Sequence, residues 1–243
     1  MSRIFAVAAG KGGVGKSTVS VGLATAFANK GKKVLLVDMD EGFRCLDLML
    51  GIDEKAVFDL LDILNGREIN DAVYSLEDIE NLYLILAPQT VSQIDSQALK
   101  AFAEKVSQQF DIVIFDFPAG INIPLYTALP KGTLFLTVAV PDPVSIRDAY
   151  QISRQLSVSS LSSRLIINRF IYRQSRKKGF KNIDSIIDST AIQLVGIVPE
   201  SDELSALSVN HRLKKKSRAF KAFNRITSRL SDEILLLPKL KKI

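Results

Sequence analysis

The feature that most constrains this chain is a glycine loop set between a strand-like run and a helix-like run. Gly10-Lys11-Gly12-Gly13-Val14-Gly15-Lys16-Ser17 fits the spacing GxxxxGK[ST]. It follows the apolar stretch Ile4 to Ala9 and precedes a helical pattern from Ser17 to Lys30. In that order, glycines that tolerate φ > 0 let successive backbone N–H groups point inward, and the following helix presents the positive end of its dipole to the same spot. The arrangement is a cradle for phosphate oxygens. Lys16 is expected to neutralise the β and γ phosphates, and Ser17 to ligate Mg²⁺. Lys11 is a second cation in a loop that already holds Lys16, and phosphate binding within one chain does not require it.

The same alternation continues along the chain. Apolar, β-branched runs at Ile4 to Ala9, Lys33 to Val37, Leu82 to Ala87, Ile112 to Phe115, Leu134 to Val140, Leu165 to Asn168 and Leu194 to Val198 are strand candidates. Helical patterns lie between them at Ala56 to Leu64, Ser96 to Phe110, Ser145 to Leu156 and Ile183 to Thr190. The pattern predicts an α/β fold: a mostly parallel twisted sheet of about seven or eight strands with helices on both faces. At 243 residues the expectation is one domain over 1–243, with a short apolar and basic tail at about 234–243.

Composition removes several classes. Cys45 is the one cysteine, which excludes an internal disulfide and any cysteine-based zinc or iron–sulfur site within one chain. No window approaches the roughly 20 apolar residues that span a bilayer, and the N-terminal apolar run leads directly into the glycine loop rather than a cleavage site. A cytoplasmic protein is expected. The net charge of +6 is unevenly spread: residues 1–120 carry 11 Lys+Arg against 17 Asp+Glu, while residues 121–243 carry 21 against 9. Two basic clusters, Arg164 to Lys181 and Arg212 to Arg229, suit acidic lipid or nucleic acid. The lone His211 reads as a surface residue.

In a parallel α/β sheet, ligands sit beyond the carboxyl ends of the strands. There the chain places Asp38-Met39-Asp40 and Asp116-Phe117-Pro118-Ala119-Gly120. Asp116 is the natural holder of a hydrated Mg²⁺ through its waters, and of Asp38 and Asp40 one would hold the same water shell while the other orients an attacking water. The strand end at Asn168-Arg169 lacks the aspartate that reads guanine, so adenine is favoured, with the Asn168 amide able to grip its edge at both ends.

The lysine at the second loop position, Asp38-x-Asp40 and Asp116-x-Pro-Ala-Gly together resemble the deviant Walker A ATPases of the MinD/ParA family. The likeness extends over Lys11 to Thr18, Val37 to Gly51, Pro118 to Gly120, Pro141 to Asp148 and Val195 to Glu200. Pro118-Ala119-Gly120, with one proline, favours the MinD branch. The resemblance implies a P-loop NTPase fold, ATP and Mg²⁺ as cofactors, and an ATP-dependent homodimer in which Lys11 reaches the partner's phosphates. It further assigns Asp40 to orienting water, with Asp38, Asp116 and Ser17 around the metal. Gly10, Lys11, Gly12, Gly13, Val14, Gly15, Lys16, Ser17, Thr18, Asn168, Arg169, Pro199 and Glu200 are the residues expected around the nucleotide. An activating or effector protein and an anionic membrane surface at the inner face of the cell membrane are the implied partners, in the placement of the division site. Relatives of this kind usually end in a basic amphipathic helix, whereas Pro238 interrupts the tail here, so weak membrane affinity is expected. The alternatives are a partition-type ATPase on non-specific DNA and a regulator of flagellar number or polar position. The run Phe220, Phe223, Ile226, Leu230 and Ile234 is expected to form one face of the last helix, its other face basic and solvated.

Overall fold

An eight-stranded sheet forms the centre of the protein, seen in a computed structural model that describes residues 2–52, 56–91, 93–172, 183–207, 213–238 and 240. The strands are β1 (Arg3–Ala8), β2 (Val34–Asp38), β3 (Tyr74–Ser75), β4 (Leu82–Ile85), β5 (Ile112–Asp116), β6 (Leu134–Ala139), β7 (Ser162–Phe170) and β8 (Leu194–Pro199). They lie in the order β3-β4-β2-β5-β1-β6-β7-β8, every pair parallel except the antiparallel edge pair β3 and β4. Successive residues of β1 enter opposite cores: Phe5 and Val7 face one, Ile4, Ala6 and Ala8 the other. Burial on both faces is why these strands read as continuous apolar runs rather than as an alternation.

The described helices are α1 (Lys16–Ala28), α2 (Leu46–Leu50), α3 (Leu60–Leu64), α4 (Ser96–Ser107), α5 (Ile123–Ala128), α6 (Pro143–Val158), α7 (Ile183–Thr190), α8 (Asp202–Ser205) and α9 (Arg218–Leu230). α1 is buried nearly all round, because it is clamped between the sheet and α9. Its small residues make that sandwich feasible. A Cβ added at Gly22 would stand 2.3 Å from the Phe223 ring, so the ring occupies the space a larger residue would need. α9 supplies Phe220, Phe223, Ile226 and Leu230 to the core, and full burial of one such side chain contributes about 1.5–3 kcal/mol. Its start is capped by Ser217, whose hydroxyl accepts from Phe220 N–H at 3.1 Å.

Three expectations need correction. The helix expected over Ala56 to Leu64 begins only at Leu60, because Asp59 takes the N-cap position and closes a reciprocal capping box with Asp62. Ile234 does not continue the face of α9. The helix ends at Leu230, Asp232 turns the chain at φ 65°, and Ile234 is 98% exposed. The strand over Leu165 to Asn168 is longer, Ser162–Phe170, since polar residues at its start still pair with β6. The short elements β3, α2, α5 and α8 carry too few residues to show a period. His211, most of the cluster from Arg164 to Lys181, Arg212 and the last residues of the tail lie outside the described residues.

Candidate nucleotide and magnesium site

The glycine loop leaves β1 at the centre of the sheet and enters α1 at Lys16. Val14 pins it to the core, while Gly13 and Gly15 turn it at φ 80° and 83°. Gly15 has a second constraint, because a Cβ there would stand 2.3 Å from Asn168 Nδ2. α1 has no side-chain cap and no acidic residue in its first turn. Its first internal hydrogen bond is Val19 N–H to the Gly15 carbonyl at 2.9 Å, so the amides of Lys16, Ser17 and Thr18 have no acceptor within the helix. An anion is the natural partner of such an end.

β2 and β5 are neighbours, and their register sets Asp38 opposite Asp116. Both are 0% exposed. Lys16, buried beside them, places Nζ 3.2 Å from Asp116 Oδ1 and 3.4 Å from Ser17 Oγ. The same Asp116 oxygen accepts from Ser20 Oγ at 2.8 Å, and Asp38 Oδ1 accepts the backbone N–H of Asp40 at 3.0 Å. The second oxygens of Asp38 and Asp116 are buried without a partner among the described residues. Burial, then repulsion from Asp116, pushes the Asp38 carboxyl up to about 7 against the pull of the Asp40 N–H. Burial also raises Asp40, which feels both Lys16 and Asp116. The three carboxylates and Lys16 therefore share one electrostatic site.

These residues fit a magnesium nucleotide. Two buried carboxylate oxygens without partners are costly unless a cation's charge or its hydration shell meets them. Among the described residues no three His, Cys, Asp or Glu side chains form a direct metal cage. The fit is thus to a metal held by phosphate, Ser17 and water, with Asp38 and Asp116 behind the water.

Lys11 stands apart. Its Nζ lies 3.6 Å from Asp142 Oδ1, turned to the start of α6, where Asp142 also caps the helix through Ser145 N–H at 3.0 Å. Gly10, Gly12 and Gly13 complete the loop, the last two with open space around their Cα atoms. Gly120, after the second acidic strand end, donates its N–H to the Ala9 carbonyl at 2.9 Å and so lies against the loop's base.

The remaining nucleotide candidates gather in a cavity of about 260 Å³ that Thr18, Asn168, Arg169, Pro199 and Glu200 line together. The two-ended grip expected of Asn168 is revised, because its Nδ2 donates to the Val14 carbonyl at 2.8 Å. Oδ1, buried and without a partner among the described residues, is the end left for a ligand's donor. Sequence reasoning missed Ser20, whose only signal is its place one helical turn after Lys16. It also missed Ser201 and Leu204 in the cavity wall and the approach of Cys45 to Ser17, where burial raises the thiol.

Comparison with known proteins identifies the family. Residues 5–213 match the CobQ/CobB/MinD/ParA nucleotide binding domain. The septum site-determining protein MinD of Bacillus subtilis is 33% identical over 252 residues, covering 100% of this chain and 94% of that protein. Among solved structures, the MinC:MinD cell division complex of Aquifex aeolicus superposes with a TM-score of 0.87 at 29% identity, covering 98% of this chain and 99% of that one. MinD of Pyrococcus horikoshii, complexed with Mg-ADP, does so with a TM-score of 0.78 at 26% identity, covering 95% of this chain and 96% of that one. Loop, paired strand-end aspartates, sheet order and full-length likeness converge, and the chain belongs to the MinD/ParA family of P-loop nucleotide-binding proteins.

Proposed function

We propose that this protein is a MinD-like ATPase switch: MgATP drives two chains into a sandwich dimer that associates with an anionic membrane surface, and slow hydrolysis releases it. Its cellular role in this reading is spatial regulation of division, with an effector protein as partner, as the MinC:MinD complex of Aquifex aeolicus suggests.

The observation that carries the reading is the separation of the two loop lysines. Lys16 is buried at the phosphate cradle beside Asp116, whereas Lys11 is partly exposed on Asp142. A half-exposed ion pair is worth about 0–1 kcal/mol, so a polyphosphate brought by a second chain would draw Lys11 away at little cost. There it would stabilise charge developing on the transferred phosphoryl group, a contribution of roughly 100- to 1,000-fold per donor. Magnesium, held by Ser17 and, through water, by Asp38 and Asp116, would withdraw charge from the phosphates. Asp40, half-buried and close to the field of Lys16, would orient the attacking water, while Asp38 and Asp116 hold the metal's water shell.

The test is phosphate release and gel filtration with ATP against ADP for the wild type and Lys11→Ala. Loss of both turnover and the ATP-dependent dimer is expected, and a variant that keeps both would sink the mechanism. Membrane association is read by co-sedimentation with acidic vesicles, with and without residues 234–243. Duplex DNA is the control arm, since Lys214, Lys215, Lys216, Arg218 and Lys221 form an exposed basic run at the start of α9. ATP-dependent, steeply salt-sensitive DNA binding would replace the membrane by nucleic acid.

A further inference from the structure

The end of the sheet remote from the glycine loop holds a cavity larger than the one beside Asn168. It is an open hollow of about 780 Å³, bordered by the amino ends of β1, β6, β7 and β8 and by the end of α9. Among the described residues that line it, Arg3, Lys131, Arg164 and Arg229 stand against the single acid Asp232, a surplus of positive charge in a concave space. Among the described residues neither Lys131 nor Arg164 forms an ion pair. Arg229 donates Nε to the Leu235 carbonyl at 2.8 Å and Nη1 to the Val195 carbonyl at 2.9 Å, which fixes its plane and leaves three of its five N–H donors for a ligand. The Ser2 hydroxyl, at the same cavity, is buried with no hydrogen-bond partner among the described residues.

We propose that this cavity is a second anion site, one that takes a phosphate-bearing group: either the headgroup phosphate of an acidic lipid or a free organic phosphate. A fixed guanidinium, two cations without acid partners and an orphaned hydroxyl are donors of the kind that meets phosphate oxygens, and the cavity's surplus charge disfavours a neutral ligand. The lipid source is argued from the chain that leaves the rim. After Asp232 the exposed residues Ile234 and Leu236 flank Leu235, whose carbonyl accepts from Arg229 of the cavity wall. An apolar segment next to a basic hollow suits an acyl region and its headgroup at once. The lipid arm rests on the membrane association proposed above; the phosphate arm does not.

The experiment uses the full chain, the double variant Lys131→Glu/Arg164→Glu and the milder Lys131→Gln, whose exposed side chain has no ion pair among the described residues to lose. Glycerol 3-phosphate is titrated by calorimetry, and vesicles of phosphatidylglycerol or phosphatidylcholine are co-sedimented at saturating ATP. The double variant is expected to weaken binding at least about tenfold, and Lys131→Gln by a smaller factor in the same direction, with ATP affinity and Tm retained. Wild-type binding to glycerol 3-phosphate identifies a free-phosphate site. Binding to phosphatidylglycerol vesicles alone identifies a headgroup site. A wild type that binds neither probe, or variants that bind both as the wild type does, overturns the proposal. The ATP dependence of sedimentation reports on the switch, and the difference between wild type and variants at one ATP concentration reports on the cavity, so the two ideas fail separately.

Discussion

The two ends of the central sheet treat charge in opposite ways. At the carboxyl ends Asp38, Asp116 and Lys16 are buried, with Lys16 and Ser20 donating to Asp116 and the Asp40 N–H to Asp38. At the amino ends Arg3, Lys131, Arg164 and Arg229 surround an open hollow, and the chain beyond α9 leaves Leu236 90% exposed. Buried charge is costly unless its partners are fixed, so the first end is rigid, specific and completed by a ligand that brings charge of its own. Exposed charge is cheap and screened, so the second end suits attraction to a surface rather than chemistry.

Removing Lys16 is the strongest way to break the contrast. Lys16→Ala leaves Asp116 without its cation and the phosphates without theirs, and phosphate release is expected to fall at least about 1,000-fold. A fall of less than tenfold would mean that the buried cluster is not the reaction centre.

Asp38 gives the next largest effect, and it is a matter of pH. The folded state raises its pKa from 3.8 to about 7, so between those values the folded chain keeps a proton that the unfolded chain has lost. This stabilising contribution is full below about pH 4 and fades as pH rises through 7. Asp38→Asn should therefore flatten the loss of stability in urea between pH 5 and pH 8 without magnesium, and exceed the wild type at pH 8 by roughly 2–4 kcal/mol. Parallel pH profiles for the two proteins would show that Asp38 is better solvated than its burial indicates.

Ser20 sharpens the picture on a smaller scale. Its hydroxyl fixes the Asp116 oxygen that also meets Lys16, leaving the other free to face a metal's water. Ser20→Ala is expected to lower stability by about 1–3 kcal/mol and to raise the magnesium concentration needed for nucleotide-dependent stabilisation severalfold. An unchanged magnesium requirement would reduce Ser20 to packing.

The smallest expected effect lies in the tail. Leu236→Ser should shift urea stability by less than about 0.5 kcal/mol, because the side chain touches little, yet reduce vesicle co-sedimentation. A larger loss of stability would show that the tail is packed and would erase the difference between the two ends.

The sequence by itself determined what depends on neighbours along the chain. The glycine spacing requires a turn between strand and helix. The apolar runs require strands buried on both faces, and Asp38 and Asp116 follow such runs directly, so their place at strand ends was legible. Tertiary structure alone decided what depends on the order in which strands lie side by side. Pairing β2 with β5 sets Asp38 against Asp116. Folding α6 beside the loop gives Lys11 its partner Asp142, and β7 takes the Asn168 amide to the Val14 carbonyl. The cationic hollow at the amino ends joins residues from both termini of the chain. Periodicity and caps act over a few residues and leave a mark in the sequence. Sheet order is a balance of packing over the whole core, and no local pattern records which distant side chains it will bring within hydrogen-bonding distance.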